Sequence, residues 1–152
     1  MAWTWTKQNA SGVGDVAAAA RGPGTLTICG INGTIWYADP GQFVRDPNAS
    51  GFRRIARSPD GSWLAGVGAN GTVWGSKARN QWSRFVGQPA LTGVADAVVA
   101  YDNSLWVTLD NGQIWSMRDG VHWEWRTVLD PFTRLAVGPG ELLGFGIVRL
   151  LC

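Results

Sequence analysis

The phrase Asn32-Gly33-Thr34-Ile35-Trp36 returns as Asn70-Gly71-Thr72-Val73-Trp74 and again as Asn111-Gly112-Gln113-Ile114-Trp115, at spacings of 38 and 41 residues. Six positions before each Asn stands a leucine, at Leu26, Leu64 and Leu105. Upstream of each leucine lies a short apolar run: Val16-Ala17-Ala18-Ala19, then Ile55-Ala56, then Ala97-Val98-Val99. A fourth copy begins at Leu135-Ala136-Val137, where Gly140-Glu141-Leu142 mirrors Gly24-Thr25-Leu26. Landmarks at fixed offsets mean one supersecondary unit stacked on copies of itself, because a lone unit of this size cannot bury its apolar face.

Each copy reads as strands. Asn-Gly between two β-rich runs predicts a tight hairpin whose two central residues both need positive φ. Leu26–Ile31 is therefore expected to pair with Thr34–Ala38, Trp63–Gly68 with Thr72–Ser76, and Ser104–Leu109 with Gln113–Met117. A third element follows in each copy, at Gln42–Arg45, Gln81–Phe85 and His122–Val128. The small apolar run makes four strands per unit. No stretch carries sustained helical periodicity, and Gly14 and Gly22-Pro23-Gly24 confine the alanine run Val16–Ala20.

A period near 40 with four short strands predicts an all-β protein, a single β-propeller domain over 1–152 built from about four four-stranded blades, the last incomplete. The units are placed at 15–45, 53–86, 94–128 and 132–152 plus 3–6. The innermost strand of a blade lines a crowded axis, which suits the alanine and valine runs. Trp3–Thr6 is left as an outer strand that can complete the last unit and close the ring, removing an open edge. The last unit has no Asn-Gly turn or Trp strand after Gly146, only Ile147–Cys152. One chain can close the ring, or it can be a partial propeller completed by homo-oligomerisation, since an unfinished array leaves apolar faces needing a neighbour.

Composition narrows the partners. Ten Trp and 21 Gly suit short strands and tight turns, while 16% charged residues and a net charge of +2 argue against nucleic acid. The basic residues are scattered apart from Arg53-Arg54…Arg57. Cys29 and Cys152 make no disulfide framework. No apolar run is long enough for membrane insertion, and the first residues lack the pattern of a secretion signal, so the expectation is a cytoplasmic protein or one released without a signal peptide.

At Leu-x5-Asn-Gly-Thr-Ile/Val-Trp the chain resembles tectonin-type β-propeller lectin repeats, from residue 3 to about 146. The resemblance implies a propeller and makes glycans or glycoconjugates the leading partners, without carrying over particular binding residues. Ile114–Trp123 also looks like the Asp-box hairpin of sialidase-like propellers. The Ser116–Asp119 and Asp119–Gly120 spacings are each off by one, and Asp boxes are chiefly structural turns.

Sugars stack their C–H faces on flat aromatic rings and bind their hydroxyls to planar polar groups. Trp36, Trp74 and Trp115 recur at one place per unit and are expected to pack blade on blade. The sugar-facing candidates are Trp63, Trp106, Trp125, Trp82, Trp123 and Asp119. Trp63 and Trp106 stand on opposite sides of their leucines, so strand alternation turns at least one away from the core. No catalytic residue, metal ligand set or cofactor motif is found. The single histidine, His122, lies in a strand, and most carboxylates sit in turn contexts that their backbone bonding explains. A protein–protein interaction scaffold is the alternative to a lectin, and a glycoside hydrolase would need clustered arginines and carboxylates in one deep pocket.

Overall fold

The computed structural model describes residues 16–22, 25–40, 42–126, 132, 134–138 and 141–145. The described elements are all strands. The first sheet runs β1 (Val16–Gly22), β2 (Thr25–Gly30), β3 (Ile35–Asp39), β4 (Gln42–Arg45). The second runs β5 (Phe52–Arg57), β6 (Leu64–Gly68), β7 (Val73–Ala78), β8 (Gln81–Arg84), and the third β9 (Val94–Val99), β10 (Leu105–Leu109), β11 (Ile114–Met117), β12 (Trp123–Arg126). Each is a four-stranded antiparallel meander in chain order, and β13 (Arg134–Gly138) pairs with β14 (Glu141–Phe145) as the start of a fourth. The expected strands are present within a few residues at each end. Trp3–Thr6 and Ile147–Cys152 lie outside the described residues.

The small apolar runs form the first strand of every sheet, and these strands adjoin in sequence: β5 lies beside β1 and β9, and β9 beside β13. Arginines of β5 tie them together. Arg57 donates to Thr27 Oγ1 at 2.9 Å, Arg53 donates to the Val94 carbonyl, and the Arg54 guanidinium stands 3.9 Å from the buried Asp96 carboxylate. Asp96 in turn accepts the Leu135 N–H at 3.0 Å. The one basic group in the sequence is thus engaged inside the fold.

Successive sheets stack face to face. Cys29, Ile35 and Tyr37 of the first meet Phe52, Ile55 and Leu64 of the second, with Trp74 and Trp82 packed against them. Ala65, Val67 and Val73, on the second sheet's other face, meet Val99, Leu105, Val107, Met117 and Trp123 of the third, with Trp115 packed against them. Period-2 alternation makes this double use of one sheet possible, since Leu64 and Ala65 point to opposite faces.

The Asn-Gly turns differ from expectation. Gly33, Gly71 and Gly112 have φ of 79°, 75° and 84°, but the asparagines before them are absent from the positive-φ residues. Gly33 N donates to the Gly30 carbonyl and Gly30 N to the Thr34 carbonyl, both at 2.8 Å, and the pattern recurs at Gly68–Thr72 and Leu109–Gln113. This is the three-residue loop ending in a left-handed glycine. Asn is needed there for its side chain. Asn32 Oδ1 accepts the Thr34 amide (3.2 Å) and hydroxyl (2.7 Å), and Thr34 Oγ1 accepts the indole N–H of Trp36 (2.9 Å). Asn70, Thr72 and Trp74 repeat the relay, and in the third copy Asn111 Oδ1 accepts the Gln113 amide while Gln113 Oε1 accepts the Trp115 indole N–H at 3.3 Å. The hairpin tryptophans are therefore anchored at their N–H and packed at their rings.

Candidate functional site

A cleft of about 570 Å³ opens between the second and third sheets, beside the β7–β8 turn of one and the β9–β10 and β11–β12 turns of the other. Trp63 and Phe85 form its aromatic wall, with ring centroids 6.0 Å apart. Opposite stand Asn103, Arg118 and Asp119, and Ser76, Lys77, Gln81, Ser83 and Arg84 complete the polar lining.

Local sequence explains the opening. Tyr37 in the first sheet and Gly75 in the second hold the same place opposite the second strand, paired with Thr27 and Ala65 respectively. A Cβ on Gly75 would stand 2.5 Å from the Phe85 ring, so only glycine lets that ring lie against the sheet. At the corresponding junction of the first and second sheets Tyr37 and Arg79 occupy the space, with the guanidinium 5.1 Å above the phenol ring, and the cavity is only about 190 Å³.

The charges of the cleft are set by short local bonds. Arg118 pairs with Asp102 at 3.3 Å. Asp119 Oδ1 accepts the amides of Val121 (2.8 Å) and His122 (2.7 Å), and its Oδ2 meets His122 Nδ1 at 2.5 Å. The His122 amide first, then its imidazole, hold the Asp119 carboxyl well below the usual carboxylate range. Asp119 is therefore an ionised acceptor, and His122 is held by its own turn.

The structure brings Trp63 and Asp119 to this one cleft and disperses the other candidates. Trp106 belongs to a fourth relay: Asp102 Oδ1 accepts the Ser104 amide and hydroxyl, and Ser104 Oγ accepts the Trp106 indole N–H at 2.8 Å. Its ring is covered by Arg126, 5.4 Å away. Trp123 is in the core at 6% exposure. Trp82 donates its indole N–H to the buried Asp46 at 2.9 Å and lines a separate cleft between the first two sheets. Trp125 is 57% exposed on the outermost strand, paired with Trp115, where the other sheets pair Arg45 with Trp36 and Arg84 with Trp74. Of the two residues flanking the leucines, Trp63 packs into the second–third junction and Trp106 onto the third sheet's far face. The sequence reading missed Phe85, Arg118 and Lys77 as cleft residues. Only the Gly75-for-Tyr37 exchange between aligned repeats points to them.

No family model matches the chain, and no curated protein matches it in sequence. Solved structures do match in fold. Hydrazine synthase of Kuenenia stuttgartiensis superposes with a TM-score of 0.65 at 12% identity, over 94% of this chain and 45% of that one. YCF48 bound to D1 peptide gives 0.58 at 14%, over 84% and 44%, and apo AztD of Citrobacter koseri 0.57 at 11%, over 84% and 40%. The fold is that of a β-propeller. The chain spans less than half the length of these propellers. At such identities the likeness extends to the fold alone, and tectonin-type repeats are not among what it establishes.

Proposed function

We propose that the protein is a non-catalytic binding propeller that holds glycans in the cleft between its second and third sheets. The observation that carries this is the meeting of the Trp63 and Phe85 rings with Asn103, Gln81, Arg118 and ionised Asp119 around one open cleft of about 570 Å³. Aromatic rings offer a stacking surface to pyranose C–H groups, and amide, guanidinium and carboxylate groups match vicinal hydroxyls. The sequence resemblance to tectonin-type lectin repeats supports the same reading.

Catalysis forms no part of the proposal. The one histidine is bonded into its own turn by Asp119, and Arg118 is paired with Asp102, which favours a binding role for these groups in the proposal. A glycan array on purified protein tests the reading, with Arg118→Ala and Trp63→Ala in parallel. The wild type is expected to retain glycans, and Trp63→Ala to lose about tenfold in affinity, the scale of one stacking contact. Absence of any retained glycan sinks the lectin reading. A protein-binding scaffold is the second reading, favoured by the exposed Trp125, Val86 and Val121, and YCF48, described as bound to D1 peptide, is a propeller used in that way.

A further inference from the structure

The two junctions differ in a second place, on the side of the Asn-Gly hairpins, where the same backbone bonds recur in each. Phe52 N bonds the Gly33 carbonyl and Val94 N the Gly71 carbonyl. Likewise Ala69 N bonds the Gly51 carbonyl and Asp110 N the Gly93 carbonyl. Gly51 and Gly93 share positive φ, 71° and 66°. These pairs fix Ala69 against Asp110 as equivalent positions, and the register of Leu64–Ser76–Trp82 and Leu105–Met117–Trp123 does the same for Trp82 and Trp123.

Between the second and third sheets this place is closed. The connector from β8 to β9 is longer than that from β4 to β5, and its Leu91 packs into the core. The Asp110 carboxylate lies 3.1 Å from where a Gly93 Cβ would stand and 4.0 Å from the Arg53 guanidinium. Trp123 is accordingly buried. Between the first and second sheets the short connector carries Asn48, Ala49, Ser50 and Gly51, and Ala69 replaces Asp110. A cleft of about 450 Å³ remains there, and Trp82 is only half-buried.

The walls of this second cleft are Phe52, Trp74 and Trp82, with Phe52 4.6 Å from Trp82 and 6.4 Å from Trp74 between centroids. Its rim is Asn48, Ser50 and Asn70, and no ionisable side chain lines it. Asn70 spends its oxygen on Thr72, which leaves its amide nitrogen and the Ser50 hydroxyl with no partner among the described residues.

We propose that this cleft is a second binding site, for an uncharged saccharide that stacks on Trp74 and Trp82 and hydrogen-bonds Asn70 and Ser50. It rests on the glycan reading of the first cleft for the class of ligand and differs from it in chemistry, because the first is lined by charged groups and this one by neutral ones. An acidic peptide or nucleotide finds no cation here, and a purely apolar ligand would leave the amide and hydroxyl dry.

The test is titration of an N-acetylglucosamine disaccharide, followed by amide and indole NMR shifts, into wild type, Ala69→Trp and Trp63→Ala. Ala69 is exposed, so a bulky ring there plugs the cleft without entering the core, and Trp82→Phe serves as a second variant that keeps an aromatic surface. The expected result is shifts at the Trp74 and Trp82 indoles, about tenfold weaker binding read at those two indoles in Ala69→Trp, an unchanged titration of the same two indoles in Trp63→Ala, whose loss is confined to the first cleft, and the same affinity at these indoles at low and high salt. Binding that survives Ala69→Trp but falls in Trp63→Ala overturns this site and leaves the first standing. Retention of glycans at the first cleft with no indole shift at the second also overturns it. No sugar binding at either place overturns both.

Discussion

Gly71 and Gly120 both take positive φ, 75° and 78°, yet they stand in different surroundings. A Cβ on Gly71 would lie 2.9 Å from the Val94 backbone nitrogen, whereas one on Gly120 meets nothing within 4 Å. Gly71→Ala therefore combines left-handed strain with a backbone clash at the junction of two sheets and is expected to cost roughly 2–3 kcal/mol. Gly120→Ala carries only the conformational cost, about 1 kcal/mol. Urea titration of both variants checks the difference, and equal losses would mean that the inter-sheet contact at Gly71 is slack. At this scale the sequence was readable in part. Asn-Gly-Thr-x-Trp announced a hairpin, but its turn type was not legible, because Asn serves equally as a left-handed residue or as a side-chain acceptor. Asp102-Asn103-Ser104-Leu105-Trp106 builds the same relay in other letters and in a different hairpin, with Asn103 at φ 62° where the others have glycine, so it escaped pattern matching.

The junction of the first two sheets shows how elements are joined by chemistry as well as by packing. Asp46, fully buried, accepts the Tyr37 hydroxyl and the Trp82 indole N–H, each at 2.9 Å, and the Asn48 amide at 2.9 Å. Burial, and then Asp46, push the Tyr37 phenol up to about 12 from 10.0. Burial pushes the neighbouring Cys29 thiol up to about 11 from 9.0. Both groups are held neutral by folding and give up their protons sooner in the unfolded chain. Their contribution is thus complete below about pH 9 and is lost as the pH rises through 11 and 12. Urea midpoints are expected to fall steadily above pH 9.0, and less steeply in Cys29→Ala. A midpoint level across that range would show that neither group is desolvated. The strands of this junction were legible from the repeated Leu, Asn-Gly and Trp landmarks. Asp46 was not, since one carboxylate after an edge strand reads as a surface residue until Tyr37 and Trp82 are brought to it from two sheets.

At the scale of the molecule, among the described residues, the two inter-sheet cores are separate clusters that share the second sheet through its opposite faces. Repeat architecture makes stability a sum of such interfaces, each coupling only neighbours. The adjoining first strands and the Arg57–Thr27 and Arg54–Asp96–Leu135 contacts work against that independence, because they run from sheet to sheet along the axis. Val107→Ala decides between the two. Val107 is fully buried between the second and third sheets, and removing its methyls costs roughly 1–3 kcal/mol. With nearest-neighbour coupling dominant, hydrogen exchange accelerates in β9–β12 and on β7, while the amides of β2 and β3 keep most of their protection. Uniform acceleration through β2 and β3 would instead show one cooperative ring in which the axial contacts dominate. The distinction bears on function, because the two proposed clefts lie one in each junction. Independent junctions allow a ligand in one cleft to be bound and released without disturbing the other, and two such sites on one body raise attachment to a glycan-covered surface through effective concentration.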